Sequence, residues 1–120
     1  MNSDDELRVR VDEISRLLDT VEAINLFRLV IGPCDFGQSV ENIYHLSFLV
    51  RDGTCSFRVA ENGEPLVARC QPCPHEERAK GVKYNQLVME FDMATWRRAI
   101  NIFDIRHPFI PHRARRPAGS

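Results

Sequence analysis

The chain has 120 residues, of which 43% are hydrophobic and 28% charged, and its formal net charge is -1. A domain of that size buries roughly two-thirds of its unfolded surface without help from disulfides or metal, and the composition is too apolar for a disordered chain. No apolar run approaches the roughly 20 residues of a membrane-spanning helix, and Met1 leads into Ser3-Asp4-Asp5-Glu6 instead of a basic and then apolar signal sequence. One soluble intracellular domain with no membrane partner is expected, its four cysteines (Cys34, Cys55, Cys70, Cys73) reduced because their spacing is irregular.

Charge is unevenly spread. Residues 1–22 carry Asp4, Asp5, Glu6, Asp12, Glu13, Asp19 and Glu22 against three arginines, whereas residues 106–120 carry Arg106, Arg113, Arg115 and Arg116 and no acid. An acidic leading helix and a basic tail are ordinarily a solvated helix and a disordered end.

Along the chain, Leu7, Val11, Ile14 and Leu18 recur at helical spacing and predict an amphipathic helix over residues 4–18. Residues 21–31 are apolar almost all round and predict a second helix, stopped by Gly32-Pro33. A third is expected over 39–51, with Ser39 as its N-cap, a core of Ile43, Tyr44, Leu46, Phe48 and Leu49, and Asp52-Gly53 as its exit. The two apolar helices form a helix-turn-helix-like unit.

After Gly53 the period becomes two. Cys55, Phe57 and Val59 alternate with Ser56 and Arg58, Asn62-Gly63 offers the positive φ of a tight turn, and residues 66–69 return as a second strand. Residues 70–85 contain Pro72, Pro74 and the run Glu76-Glu77-Arg78 and are expected as a loop. Leu87, Met89 and Phe91 alternate as a third strand over 86–91, and Asp92 caps a closing helix with Trp96, Ala99, Ile100 and Phe103. Pro108, Pro111 and Pro117 then deny regular structure, so a disordered tail is expected from residue 106. The fold class is α+β of winged-helix type: a leading helix over 1–19, a domain over 20–105 built of a helix-turn-helix-like unit, a small antiparallel wing and a closing helix, then the tail.

Chemistry is sparse. Cys70-Gln71-Pro72-Cys73 has the spacing of half a zinc site, but Cys34 and Cys55 lie in unrelated contexts and supply no second pair. Pro74 and a charged loop follow where a redox motif would open a helix. Phosphate-cradling glycines, a G-x-S-x-G elbow and H-E-x-x-H are all missing, and Glu41 with His45 is an ordinary contact at helical spacing. Neither an enzyme nor a cofactor is expected. In helix-turn-helix proteins the second helix of the unit reads DNA, yet residues 39–51 offer Glu41, Asn42, His45 and Arg51 where phosphates call for several Lys or Arg. A protein partner is the better expectation, with DNA left to the tail arginines Arg113, Arg115 and Arg116 as the alternative.

The run from Phe36-Gly37-Gln38-Ser39-Val40-Glu41-Asn42-Ile43-Tyr44-His45 through Leu46-Ser47-Phe48-Leu49-Val50-Arg51-Asp52-Gly53 resembles the signature of the non-SMC element four kleisins of the SMC five-six complex. Asn85-Gln86, Thr95-Trp96 and Phe103-Asp104-Ile105 extend the resemblance over residues 20–107. It implies a winged-helix domain that docks on the ATPase head of the SMC-five subunit. Other kleisin regions would contact the neck of SMC six and the element-one and element-three pair, in nuclear chromosome maintenance and recombinational repair of double-strand breaks. Only the leading helix precedes the resembling region, so by itself the chain is expected to occupy one SMC head without bridging two. The expected docking surface is the Arg51-Asp52 corner, the wing with Phe57 and Val59, and exposed aromatics of the 36–57 region, since an alternating strand can pair with a partner's strand. Taken one by one, most of Phe36, Tyr44, Phe48 and Phe57 are expected as core.

Overall fold

A computed structural model describes residues 3–70 and 91–113 of the chain. The first helix, α1 (Ser3–Leu18), follows the expected stripe: Ile14 and Leu18 are buried, while Asp5, Arg8, Asp12 and Arg16 face solvent. The second helix is much shorter than expected. Residues 24–25 form a short strand, β1 (Ile24–Asn25), and only Leu26–Val30 is helical, as α2. Asn25 causes the break. Its Oδ1 accepts the N–H groups of Phe27 at 2.8 Å and Arg28 at 3.2 Å, so its side chain caps a helix start that the apolar periodicity conceals.

The third helix, α3 (Phe36–Arg51), begins one turn earlier than expected because Asp35, not Ser39, is its N-cap, with Oδ1 accepting the Gln38 N–H at 3.0 Å. Ser39 is fully buried inside the first turn. Its hydroxyl accepts the Gly32 N–H at 2.9 Å and lies 3.0 Å from the Asp35 carbonyl and 3.2 Å from the Gly32 carbonyl, either of which it can donate to. Both Asp and Ser make good caps; the carboxylate is placed to satisfy the orphan amide, and that leaves the hydroxyl for the turn behind it. At the other end Asp52 is the C-cap, and Gly53 takes a φ of 78° that only glycine adopts freely, as the Asp52-Gly53 exit requires.

Strands β2 (Cys55–Val59) and β3 (Pro65–Arg69) pair antiparallel with Phe57 opposite Val67, and β1 pairs with the other side of β3, giving the order β1-β3-β2. The hairpin loop is looser than an Asn-Gly two-residue turn. Ala60 N–H donates to the Glu64 carbonyl at 2.9 Å and Gly63 N–H to that of Ala60 at 2.8 Å, and Gly63, at φ 85°, supplies the positive φ. The expected third strand over 86–91 lies, apart from Phe91, outside the described residues.

The closing helix, α4 (Met93–Phe103), starts as expected at Asp92, which accepts the Thr95 N–H at 2.7 Å, and ends on Asp104 in the left-handed region at φ 51°. Trp96 turns its Nε1–H onto the Gly32 carbonyl at 3.2 Å and meets Phe36 edge-on at 5.8 Å, which fixes α4 against the α2–α3 turn. Leu26, Leu29, Val30, Ile31, Leu46, Leu49, Val50, Cys55 and Val67 pack with Ile14 and Leu18 into one core between the helices and the inner face of the sheet. Burial pushes the Cys55 thiol up to about 11, an inert core sulfur. Among the described residues no helix is long and apolar enough to cross a membrane. The architecture is α+β of winged-helix type.

The expectation of a disordered tail does not hold for residues 106–113. They form no helix or strand, but Ile110 is buried in the core and Phe109 is half-buried against it. Proline forbids regular hydrogen bonding without forbidding an extended segment from packing.

Replacing Ser39 by alanine strands the Gly32 N–H in the interior. The expected loss is about 1–3 kcal/mol, read as a lower urea midpoint at unchanged slope.

Candidate interaction surface

The outer face of α3 is where the sequence places its candidates. Arg51 and Asp52 lie at its C-terminal end with side chains 69% and 61% exposed, and their mutual contact, 4.0 Å between Nε and Oδ1, is a weak surface pair. The Arg51 guanidinium sits 4.8 Å from the centre of the Phe48 ring, and Phe48 meets Tyr44 edge-on at 5.0 Å. A cation is thus held over an aromatic pair on a helix face, partly relieved of the entropy a partner would otherwise have to remove. Tyr44, at 56% exposure, was expected as core; it is the first rung of this ladder.

The wing candidates separate. Phe57 is half-buried and packs on the core, so much of its ring is already committed, whereas Val59 is 63% exposed. Both point to the side of β2 that Cys55 buries, but the sheet outruns the core and Val59 emerges past it. Val59 ends β2 about 13 Å along the strand from Cys55, so the Arg51-Asp52 corner and Val59 mark the two ends of one wing strand.

The tail arginines do not form a DNA-reading group in the described residues. Arg115 and Arg116 lie outside them, and Arg113 is an internal fastening. Gln38, only 4% exposed, accepts the Arg113 N–H on Oε1 at 2.9 Å and donates from Nε2 to the Arg113 carbonyl, holding that residue by both main-chain groups. The guanidinium reaches Glu41 Oε2 at 2.8 Å and Asn42 Oδ1 at 3.3 Å, with its side chain 16% exposed. Asn42 spends its amide on the Val30 carbonyl at 2.9 Å. The polar residues of the signature run therefore hold backbone that is not their own. Sequence reasoning missed this use of Gln38 and Asn42, although two amides four residues apart share one face of a helix, which is the signal for it.

Between α1 and α3 a groove of about 420 Å³ is lined by Glu6, Leu7, Arg10, Glu41, Tyr44, His45 and Arg113. Burial lowers the His45 pKa, and the Arg113 cation adds to the shift, with Arg10 a smaller contributor of the same sign and Glu41 and Glu13 opposing. Its Nδ1 is buried with no hydrogen-bond partner among the described residues. Among those residues no three His, Cys, Asp or Glu side chains gather as a metal site would require, and Cys70 turns its Sγ to the Gly53 carbonyl at 3.3 Å, while Cys73 lies outside them.

Two outcomes are expected. Gln38→Ala frees the segment around Arg113, and amide exchange there accelerates by about tenfold for each 1.4 kcal/mol of local stability lost, with α1 amides unaffected. His45, whose folded pKa lies below the 6.5 of an unfolded chain, favours folding while neutral. Its contribution is complete above that pH and is lost as acid is added toward its folded pKa. Urea titrations from neutral pH downward will show a fall that His45→Gln flattens.

Residues 23–110 match the model of the family described as Nse4 C-terminal. The chain is 30% identical over 107 residues to the Saccharomyces cerevisiae protein named non-structural maintenance of chromosome element 4, covering 82% of this chain and 27% of that one. It is 29% identical over 102 residues to the Schizosaccharomyces pombe protein of the same name, covering 84% and 34% respectively. To the Homo sapiens protein named non-structural maintenance of chromosomes element 4 homolog A it is 28% identical over 92 residues, covering 72% and 23%. The matched region spans between about a quarter and a third of the length of these curated relatives.

Proposed function

The chain belongs to the Nse4 C-terminal family, and on that premise we propose that it is the kleisin winged-helix module of an SMC five-six complex, docking on the ATPase head of the SMC-five subunit. In this reading it is a structural subunit, nuclear and chromosomal, with ATP hydrolysis left to the partner. Its output is chromosome maintenance and recombinational repair of double-strand breaks. SMC six and the element-one and element-three subunits would be engaged by kleisin regions other than this domain.

The observation that carries the docking surface is the pre-arranged Arg51 cation over Phe48 at the end of α3, next to the start of the wing. Hot spots at protein interfaces favour arginine and aromatic side chains already held in place. Arg51 and Asp52 would contribute paired charge, and Val59 an exposed apolar contact at the strand's far end, with Phe57 supporting the strand from beneath. A DNA-reading role for α3 draws no support from the charge of its outward side chains: Glu41 and Asp52 outnumber Arg51, and phosphate binding needs a cationic excess.

The measurement is capture of the chain by isolated SMC-five head, with SMC-six head as control. Arg51→Glu and Val59→Asp are each expected to weaken SMC-five capture by about tenfold or more while leaving the circular dichroism and urea midpoint of the chain unchanged. Equal capture by both heads, or indifference to both substitutions, would refute the surface.

A further inference from the structure

At the opposite edge of the sheet from β2 lies a second groove, of about 490 Å³, between β1 and the segment that follows α4. Ile24, Ile105, Pro108 and Phe109 give it an apolar lining, and Arg28, Arg106 and His107 stand in the same wall. One acid, Asp104, shares the lining, and it is already matched by Arg106 at 3.0 Å between Oδ1 and Nε. Among the described residues Arg28 is left as cationic excess, its guanidinium held 5.9 Å from the centre of the Phe103 ring.

We propose that this groove receives an extended acidic segment of a partner protein, with one apolar side chain seated among Ile24, Ile105 and Phe109 and carboxylates flanking it toward Arg28 and Arg106. The size suits a few side chains, since pockets of about 300–1,000 Å³ hold compact ligands. The sign follows from charge complementarity: an acidic chain meets the cationic excess of the described lining, whereas a basic one would meet like charge. Duplex DNA would satisfy the arginines but has nothing apolar to place between them, because phosphate contacts leave such a cavity wet. The groove is separate from the Arg51 corner, so it offers the domain a second contact while the first is engaged, and it does not depend on the identity of the first partner.

The test is a library of random peptides displayed on phage and panned against the full chain. The expected result is enrichment of sequences with an apolar residue between acidic ones. Their synthetic versions should lose about tenfold in affinity against Arg28→Glu and Arg106→Glu, both verified as folded by circular dichroism, and keep full affinity for Arg51→Glu. Enrichment of basic or uncharged sequences, no enrichment at all, or acidic peptides that bind the two reversed variants as well as the parent would each overturn the proposal. So would a short labelled DNA duplex that binds the chain and displaces the selected peptides with nanomolar strength, since that would assign the arginines to phosphate.

Discussion

The hydroxyl of Ser39 sits where α2, the α2–α3 turn and α3 meet, and it has to answer for main-chain groups that no helix of the fold can pair. A five-residue helix that stops at Val30 leaves its last carbonyls and the following amides facing the interior. Water does not reach them, so side chains of the next helix must. Ser39 takes Gly32, Asn42 takes Val30, and Trp96 comes from α4 to take the second Gly32 group. Three elements are thereby tied to one turn by hydrogen bonds whose loss would strand a buried polar atom. Geometry held this way is more specific than apolar packing alone, because a shifted helix would leave those groups unpaired.

The same economy explains what remains outside. On α3 one flank of polar residues, Gln38 and Asn42, is committed to backbone, and the apolar flank is committed to the core. The stripe running through Tyr44, Phe48 and Arg51 is left to solvent and is aromatic and cationic, beside the exposed Val40 and Glu41. Fastening residue 113 across Gln38 also commits its guanidinium to Glu41 and Asn42, so α3 is partly covered by its own chain.

The ionisable and nucleophilic groups fit that picture. Cys55 is a core sulfur whose thiol burial pushes up to about 11, and the exposed Asp92 spends its carboxylate as a helix cap whose hydrogen bond from Thr95 lowers its pKa. His45 is the exception, a half-buried imidazole whose Nδ1 has no partner among the described residues and which lies between two arginines and two glutamates. It couples the stability of the α1–α3 seam to proton concentration just below neutrality.

Much of this was legible in the residues themselves. The stripe of α1, the alternation of the wing, the Asp52-Gly53 exit and the Asp92 cap are local: each depends on neighbours within one turn or one strand pair, and local chemistry is written in consecutive letters. The signature run from Phe36 to Gly53 carried the family as well. Tertiary structure alone decided the rest. Residues 21–31 have the apolarity of a long helix, yet Ile24 pairs with Val67, which is more than forty residues away and invisible to any local window. Gln38 and Arg113 are 75 residues apart, so an amide that looks solvated and an arginine that looks like a loose tail become one clasp only when the chain closes. Periodicity reports which face of an element is apolar; which distant backbone its polar side chains must satisfy is settled by where the whole chain packs.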